Sequence, residues 1–211
     1  ALPLPKRKRL WRMLVRAKIM AQARVLEIAG HPDHKNLEKL TKSVRSGDPD
    51  NVEARAARFY WRRLLGNDFR RDTSGDGLNV HLNYGYTVVR AAMARAVVGA
   101  GLTPGLGLHH RGRLNAFQLV DDLMEPFRPL VDHAVWRNQK DWTGELTPAA
   151  KRVLAELING AMATTAGTNS VSRVMSMLSL SLAEVCTGDA ENLVWPLDWG
   201  LLTQAELDLG Q

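Results

Sequence analysis

The chain has 211 residues, 45% of them hydrophobic, and a formal net charge of +6. This length suits one large domain or two small ones, and the composition supports a buried core. No apolar run reaches the roughly 20 residues that a membrane-spanning helix needs, and the start lacks the apolar segment of a secretory signal. The single cysteine, Cys186, excludes an intrachain disulfide and a cysteine-rich zinc module, and is consistent with a reducing cytoplasm.

The charge is unevenly distributed along the chain. Residues 1–71 carry 18 Lys and Arg against 7 Asp and Glu, whereas residues 72–211 carry 10 against 15. A basic front followed by an acidic remainder suggests that one part holds a polyanion and another performs chemistry. The simpler alternative is a basic surface that only keeps the protein soluble.

Hydrophobic periodicity predicts helices along most of the chain and an all-α fold. The predicted helices are 10–28, 37–44, 52–65, 78–98, a short one ending at 125, 130–139, 147–158 and 174–186. Strand signals are weak and confined to residues 106–108, and residues 162–172 read as a loop. Asp50 or Asn51 is expected to cap the third helix, and the Trp195–Trp199 segment of the tail suits the edge of the core.

The stretch from Gly107 to Pro129 concentrates residues with chemical potential. His109 and His110 are adjacent in a glycine-bounded loop. Asp122 and Glu125 follow on a short helix, where a spacing of three places them on one face. Imidazole on a loop and carboxylates at a helix end can hold a divalent cation. From the residues alone, a plain loop histidine and a solvated acidic face remain the alternative.

Other titratable residues have simpler explanations. His31 and His34 lie in the turn after the first helix, where solvent-exposed histidines are more common than metal ligands. Glu53 lies in the first turn of the third helix, where the helix dipole favours a carboxylate, so a capping role is the simplest one. Gly85 interrupts the fourth helix at a cost of about 1 kcal/mol, which suggests the close approach of another backbone.

Three linked motifs resemble one protein family. They are the Leu-Asn-Tyr-Gly-Tyr sequence at 82–86, the Gly-Leu-Thr-Pro-Gly-Leu-Gly-Leu-His-His sequence at 101–110, and the Asp-Leu-Met-Glu-Pro-Phe-Arg-Pro sequence at 122–129. In order and spacing they resemble the CRISPR-associated integrase of the adaptation step, and residues 11–23 and 51–61 resemble its first helical segments. The doubled histidine and the Asn-Ala-Phe that follows it are most similar to the versions from type II systems.

The resemblance implies a domain organisation. The family has an N-terminal β-domain joined by a short linker to a helical catalytic domain, and this chain resembles only the helical domain. We therefore expect residues 1–9 to be a linker remnant and residues 10–211 to form the helical catalytic domain of a prokaryotic cytoplasmic protein. Dimerisation without the β-domain is left open.

The resemblance also implies a site for Mg²⁺ or Mn²⁺. The residues it assigns are Glu53, His110 and Glu125 as metal ligands, with Asp122 and Tyr86 as further catalytic residues. His109 stays an alternative to its neighbour as the ligand. Two carboxylates and one neutral imidazole leave open positions on the metal for water and a phosphate oxygen.

The implied reaction is strand transfer, in which the 3′-hydroxyl of a short foreign DNA duplex attacks a phosphodiester at the repeat border of the CRISPR array. The implied partners are the double-stranded DNA of spacer and repeat, a second copy in a homodimer, and the small CRISPR adaptation partner protein. Candidates for phosphate contacts, each equally explained as a surface arginine, are Arg7, Arg9, Arg12, Arg16, Arg58, Arg62 and Arg63. The competing hypotheses are a metal-dependent endonuclease acting by hydrolysis and a non-catalytic helical DNA-binding or assembly module.

Overall fold

A computed structural model describes residues 2–110, 112, 114–164, 167–191 and 193. The helical class predicted from the sequence is confirmed. The elements are α1 (Leu4–Ile28), α2 (His34–Ser43), α3 (Val52–Leu64), α4 (Leu78–Gly99), α5 (Gln118–Met124), a 3-10 turn (Glu125–Phe127), α6 (Arg128–Arg137), α7 (Pro148–Glu156), β1 (Ala161–Thr164), β2 (Gly167–Ser170) and α8 (Val171–Thr187). None of these helices has the length and apolar character needed to traverse a bilayer.

Two long helices organise the packing. Helix α1 contacts α2, α3, α6 and the 3-10 turn, whereas α4 contacts α5, α6, α7 and α8. The segment 118–137 touches both helices, and most of its residues are buried. The largest fully buried side chains include Trp11 and Leu14 of α1, Tyr60 of α3 and Phe127 of the 3-10 turn. The acidic motif is therefore held from two sides by the core.

Helix α1 begins at Leu4, six residues before the predicted start. Residues 4–9, which we assigned to a linker, are its first turns. Pro5 is tolerated there because N–H groups in a first turn lack an intrahelical partner. Lys6 Nζ donates to Val185 O at 3.3 Å, and Arg7 Nε donates to Leu108 O at 3.2 Å. These long-range contacts anchor a basic, proline-punctuated start that local sequence alone reads as irregular.

The hairpin β1–β2 replaces the loop predicted over residues 162–172. Its strands are antiparallel, with Ala161 opposite Ser170. Val171 N donates to Gly160 O, and Ser172 N donates to Ile158 O, both at 2.9 Å, so the end of α7 is bonded to the start of α8. The hydrophobic pattern did not predict these strands because their residues are mostly small and polar and show no hydrophobic alternation.

The weak strand signal at residues 106–108 is wrong. These residues lie in an irregular loop, and the N–H of Leu108 bonds a carboxylate, that of Asp122, instead of a neighbouring strand. Helix α5 ends at Met124, one residue before the predicted end, and the 3-10 turn containing Pro126 leads directly into α6. The predicted role of the Trp195–Trp199 segment falls outside the described residues.

Asp48, rather than Asp50 or Asn51, caps α3. Its carboxylate accepts from Val52 N at 2.9 Å and from Glu53 N at 3.0 Å. Asn51 has a left-handed backbone with φ of 50° and no side-chain cap, and Asp50 pairs with a neighbouring arginine. Because Asp48 supplies the cap, the Glu53 carboxylate is not needed for that role.

Gly85→Ala is expected to lower the free energy of unfolding by about 1–2 kcal/mol, because overpacking outweighs the gain in helix propensity. A Cβ at this position would overlap Val131 Cγ1 of α6 and lie 3.2 Å from Leu154 Cδ2 of α7. The glycine thus admits side chains, not another backbone. Urea denaturation measures the change.

The control is Gly99→Ala on the same helix, where an added Cβ meets no atom within 4 Å. It should be neutral or slightly stabilising. Equal destabilisation by both substitutions would contradict the packing argument.

Candidate active site

Two glutamates from distant parts of the chain face one ammonium group. Lys18 Nζ lies 2.6 Å from Glu53 Oε1 and 2.5 Å from Glu125 Oε2. The side chains of Lys18, Glu53 and Glu125 are 13%, 23% and 7% exposed, respectively. A cluster of charges with little exposure to water therefore forms where the middle of α1 meets the start of α3 and the 3-10 turn.

Lys18 and Glu125 are both held in their charged forms. Burial disfavours the Lys18 ammonium, but the carboxylates of Glu125 and Glu53 outweigh it and raise the pKa of Lys18. Burial likewise works against the Glu125 carboxylate, but Lys18 and Arg128 prevail and lower its pKa. Arg128 Nε lies 3.0 Å from Glu125 Oε1. Despite these short ion pairs, Glu125 Oε2 has no hydrogen-bond partner of good angular geometry among the described residues.

Asp122 holds the histidine loop in place by accepting its hydrogen bonds. This fully buried carboxylate accepts from Leu108 N at 2.6 Å, from His109 N at 2.9 Å and from His110 N at 3.3 Å. Its Oδ1 also lies 2.5 Å from His110 Nδ1. This hydrogen bond to Asp122 raises the pKa of His110 against the opposing effect of burial, and the nearby charges of Glu125 and Glu53 act in the same direction. With Nδ1 engaged, His110 Nε2 is the nitrogen left for a ligand.

The two adjacent histidines have different surroundings. The His109 ring stacks on Trp11 at 4.3 Å between centroids and an interplanar angle of 5°. The His110 ring meets Trp11 edge-on at 5.7 Å. His110 lines a cleft together with Glu125 and Arg128. This geometry favours His110 over His109 as the candidate ligand.

Tyr86 lies in the wall of the same cleft, beside Arg128. Its hydroxyl donates to Asp132 Oδ1, and the guanidinium groups of Arg71 and Arg128 lie 5.1 and 4.7 Å from the centroid of its ring. Burial raises the pKa of Asp132 to about 7. Burial, followed by the charge of Asp132, also raises the pKa of Tyr86, so its hydroxyl stays protonated and serves as a donor.

Asp132→Asn is expected to weaken the pH dependence of stability. Since the folded pKa of Asp132 is raised to about 7, its contribution to stability is fully present below about pH 4 and is lost as the pH rises through 7. Asparagine keeps an acceptor for Tyr86 and cannot ionise. The stability of the variant relative to wild type should therefore increase between about pH 4 and 7, by up to about 4 kcal/mol, and stay constant above that range.

Urea denaturation of both proteins across this range measures the difference. Asp141→Asn, which alters an exposed aspartate, is the control and should give a constant offset. A constant offset for Asp132→Asn as well would contradict the prediction.

Arginines dominate the surface around the site. A cleft of about 460 Å³ is lined by the cationic residues Lys18, Arg58, Arg62, Arg70, Arg71 and Arg128, with Trp61 and Phe69 between them. A second cleft, of about 430 Å³, contains His110 and Glu125 and shares Arg71, Tyr86 and Arg128 with the first. We call the first the arginine cleft. It can hold a polyanion against aromatic side chains.

Only two of the seven predicted arginines line these clefts, namely Arg58 and Arg62. Arg7 bonds Leu108 O, and Arg63 pairs with Asp33 at 2.8 Å. Arg9 and Arg16 are exposed elsewhere, and Arg12 is half-buried.

Sequence reasoning missed Arg70, Arg71, Arg90 and Arg128 because most of them lie in or beside segments read as loops or ends. It also missed Lys18. Its helical spacing could have identified it. Lys18 lies four residues from Leu14 and four from Gln22, which places a lysine on the buried face of α1. The histidines of the first interhelical turn are only partly exposed, rather than solvent-exposed as expected, and His34 Nδ1 lies 3.0 Å from His31 O.

The donor set fits a hard dication. Two carboxylates and the imidazole nitrogen that Asp122 leaves available suit Mg²⁺ or Mn²⁺, and one of the carboxylate oxygens, Glu125 Oε2, is buried without a well-aligned hydrogen bond. Within the described ranges, however, no three His, Cys, Asp or Glu side chains are already arranged as a metal cluster. Instead, Lys18 Nζ lies between the two glutamates.

Comparison with known proteins agrees with these motifs. Residues 4–146 match the family model described as CRISPR associated protein Cas1. The chain is 43% identical over 158 residues to the CRISPR-associated endonuclease Cas1 of Neisseria meningitidis serogroup C (strain 8013), covering 74% of this chain and 52% of that protein. It thus spans about half the length of this curated relative.

Solved structures share the fold. A casposase bound to an integration product superposes with a TM-score of 0.74 at 22% identity, over 92% of this chain and 67% of that one. A chain of a partial Cas6-RT-Cas1–Cas2 complex gives a TM-score of 0.74 at 16% identity, over 94% and 70%. At these identities the likeness concerns the fold, whereas the family model covers more than half of the sequence: the chain belongs to the CRISPR-associated Cas1 family.

Proposed function

We propose that this chain carries the active site of a metal-dependent DNA integrase of CRISPR adaptation. The reaction joins the 3′-hydroxyl ends of foreign DNA fragments into the CRISPR array by phosphodiester strand transfer. The observation that supports this best is the convergence of Glu53, Glu125 and His110 beside the arginine cleft. These are the three residues that the family resemblance assigns as metal ligands.

In this proposal Glu53, Glu125 and His110 Nε2 hold Mg²⁺ or Mn²⁺. When bound, the ion polarises the scissile phosphate and stabilises the attacking and leaving oxygens. Asp122 orients the imidazole by accepting at Nδ1, and Trp11 limits its rotation by packing edge-on against the ring. The site is thus preorganised by buried groups that do not touch the DNA.

The arginine cleft binds and orients the DNA backbone. Guanidinium groups present planar, paired donors that match phosphate oxygens, so Arg71 and Arg128 can clamp the phosphate nearest the site. Arg58 and Arg62 extend the positive surface along α3. Because phosphates carry no sequence information, these contacts position the DNA and leave the choice of repeat to other parts of the assembly.

The proposed partners are spacer and repeat DNA, a second copy of the chain in a homodimer, and the small CRISPR adaptation partner protein. Two structural neighbours support the first and last of these, since one is bound to an integration product and another is part of a Cas1–Cas2 complex. The second candidate function is endonuclease activity by hydrolysis, which is favoured by the similarity to the Neisseria relative, a CRISPR-associated endonuclease.

A strand-transfer assay tests the proposal. Labelled short duplex DNA and a repeat-bearing plasmid are incubated with Mn²⁺, the small partner protein and either wild type or His110→Ala. Joined product with wild type only, reduced by at least about 100-fold in the variant, is expected because the variant lacks one ligand.

Each alternative predicts a different outcome. Hydrolysed DNA without joined product supports the endonuclease. DNA binding without any metal-dependent product, from either protein, supports the non-catalytic module and would falsify the integrase proposal for this chain.

A further inference from the structure

Lys18 is an unusual residue for its position. It lies on the buried face of α1, and its side chain is only 13% exposed. Burying an ammonium costs several kcal/mol unless charged partners compensate for its lost hydration. Here Glu53 Oε1 and Glu125 Oε2 provide that compensation at 2.6 and 2.5 Å. Lys18 is therefore matched to the same two carboxylates that we propose as metal ligands.

An ammonium and a dication cannot both use these oxygens. Mg²⁺ takes carboxylate oxygens at about 2.0–2.1 Å, and Lys18 Nζ already contacts the facing oxygens of both glutamates. Arg128 adds another positive charge at Glu125 Oε1. A dication placed beside two cations would be balanced by only two carboxylates, so its entry requires the nearest cation to leave.

Lys18 has room to move. Its side chain lines the arginine cleft with Arg58 and Arg62, and its long stem can turn its ammonium group toward the cleft. In that position the ammonium would add to the positive surface on which DNA phosphates are expected to lie.

We propose that Lys18 is a built-in counter-cation of the metal site, which holds Glu53 and Glu125 together in the metal-free protein and is displaced when the metal binds. It is a positioning residue, since it acts through the two glutamates. The inference rests on the proposed function, because it takes Glu53, Glu125 and His110 as the ligands. It differs from a purely structural ion pair in predicting competition between Lys18 and the metal.

The test is Mn²⁺ binding to the 211-residue chain. Binding is measured by calorimetry and by the electron paramagnetic resonance signal of free Mn²⁺. Four proteins are compared at about pH 8, namely wild type, Lys18→Met, Glu53→Gln and the control Lys39→Met, which alters an exposed lysine on α2. Lys18→Met keeps the length of the stem and removes the charge. Its Mn²⁺ affinity should be tighter than that of wild type by at least about tenfold, because a competing cation is gone.

Stability gives a second readout that does not depend on activity. Without metal, Lys18→Met should have a lower Tm than wild type because the two carboxylates lose their shared partner. Saturating Mn²⁺ should raise its Tm by more than it raises that of wild type. Equal destabilisation with and without Mn²⁺, together with unchanged affinity, would show a purely structural lysine and overturn the proposal. Weaker binding would show that Lys18 supports the bound metal, and would overturn it as well.

Wild type alone provides a test if Lys18→Met does not fold. Limited acetylation followed by mass spectrometry compares the reactivity of Lys18 with that of Lys39. Saturating Mg²⁺ should increase the relative reactivity of Lys18 as its amine leaves the glutamates, and an unchanged ratio overturns the proposal. Failure of the proposed function is distinguishable, because wild type would then bind no Mn²⁺ that Glu53→Gln removes.

Discussion

Glu125→Gln is expected to reduce strand transfer by at least about 1,000-fold while leaving DNA affinity within about twofold of wild type. Glu125 is buried and faces Lys18 and Arg128, not the open part of the arginine cleft. Glutamine has the same shape but carries no charge, so the proposed metal loses an anionic ligand. The arginines that are expected to bind phosphate remain in place.

The measurement combines joined product from the strand-transfer assay with DNA affinity at a fixed salt concentration, since phosphate binding depends steeply on salt. Glu145→Gln, which neutralises an exposed carboxylate before α7, is the control and should keep full activity. Circular dichroism checks that the variant folds, because Lys18 retains only Glu53 as a partner. Full strand transfer by folded Glu125→Gln in Mg²⁺ or Mn²⁺ would remove Glu125 from the metal assignment.

Asp122→Asn should have the second large effect, on both stability and activity. The Asp122 carboxylate accepts from three consecutive backbone N–H groups and from His110 Nδ1. Asparagine has only one acceptor oxygen. Its NH₂ group would therefore face some of the N–H donors that now bond the second carboxylate oxygen, and those hydrogen bonds would be lost. We expect a loss of about 2–4 kcal/mol in the free energy of unfolding, from unsatisfied buried donors, and a 10- to 100-fold loss of strand transfer, from misorientation of the imidazole.

Asp121→Asn is a closely matched control, because it changes the preceding acid in the same way. Asp121 is half-buried and pairs with Arg90 at 2.6 Å and with Asn115 at 2.7 Å, and it makes none of the hydrogen bonds to His110 that Asp122 makes. Its loss should cost about 1 kcal/mol or less. Denaturation and the strand-transfer assay compare the two variants, and equal effects would show that Asp122 has no special role in holding His110.

Much of the fold could be predicted from local sequence because helices leave a periodic signal. The apolar spacing in α3, α4 and α8 located these helices to within a few residues. The start of α1 was missed because it is anchored by long-range hydrogen bonds that no local pattern encodes. The hairpin β1–β2 was missed because its small polar residues give no hydrophobic alternation. The cap of α3 was misplaced by two to three residues, since the left-handed backbone at Asn51 brings Asp48 into reach instead.

The sequence by itself determined which residues are candidates for the chemistry. The spaced motifs around His110 and Glu125, and the family resemblance they carry, identified Glu53, Asp122 and Tyr86 as well. Their metal-binding and catalytic roles stay predictions. A motif consists of residue types at fixed spacings. It can therefore identify candidate residues, but it does not show which charged side chains lie next to them in the fold.

Only the tertiary structure decided how the candidates are arranged. Helix α1 brings Trp11 against the histidines and Lys18 between the glutamates, and Asp122 is turned inward to the loop rather than toward a ligand. These contacts of α1 join residues separated by 35 to more than 100 positions in the chain, whereas Asp122 lies 12 positions from His110. They arise because the apolar faces of α1 and the 118–137 segment are buried against each other. Charged groups on those faces are buried with them, and an unpaired buried charge costs free energy, so these groups pair.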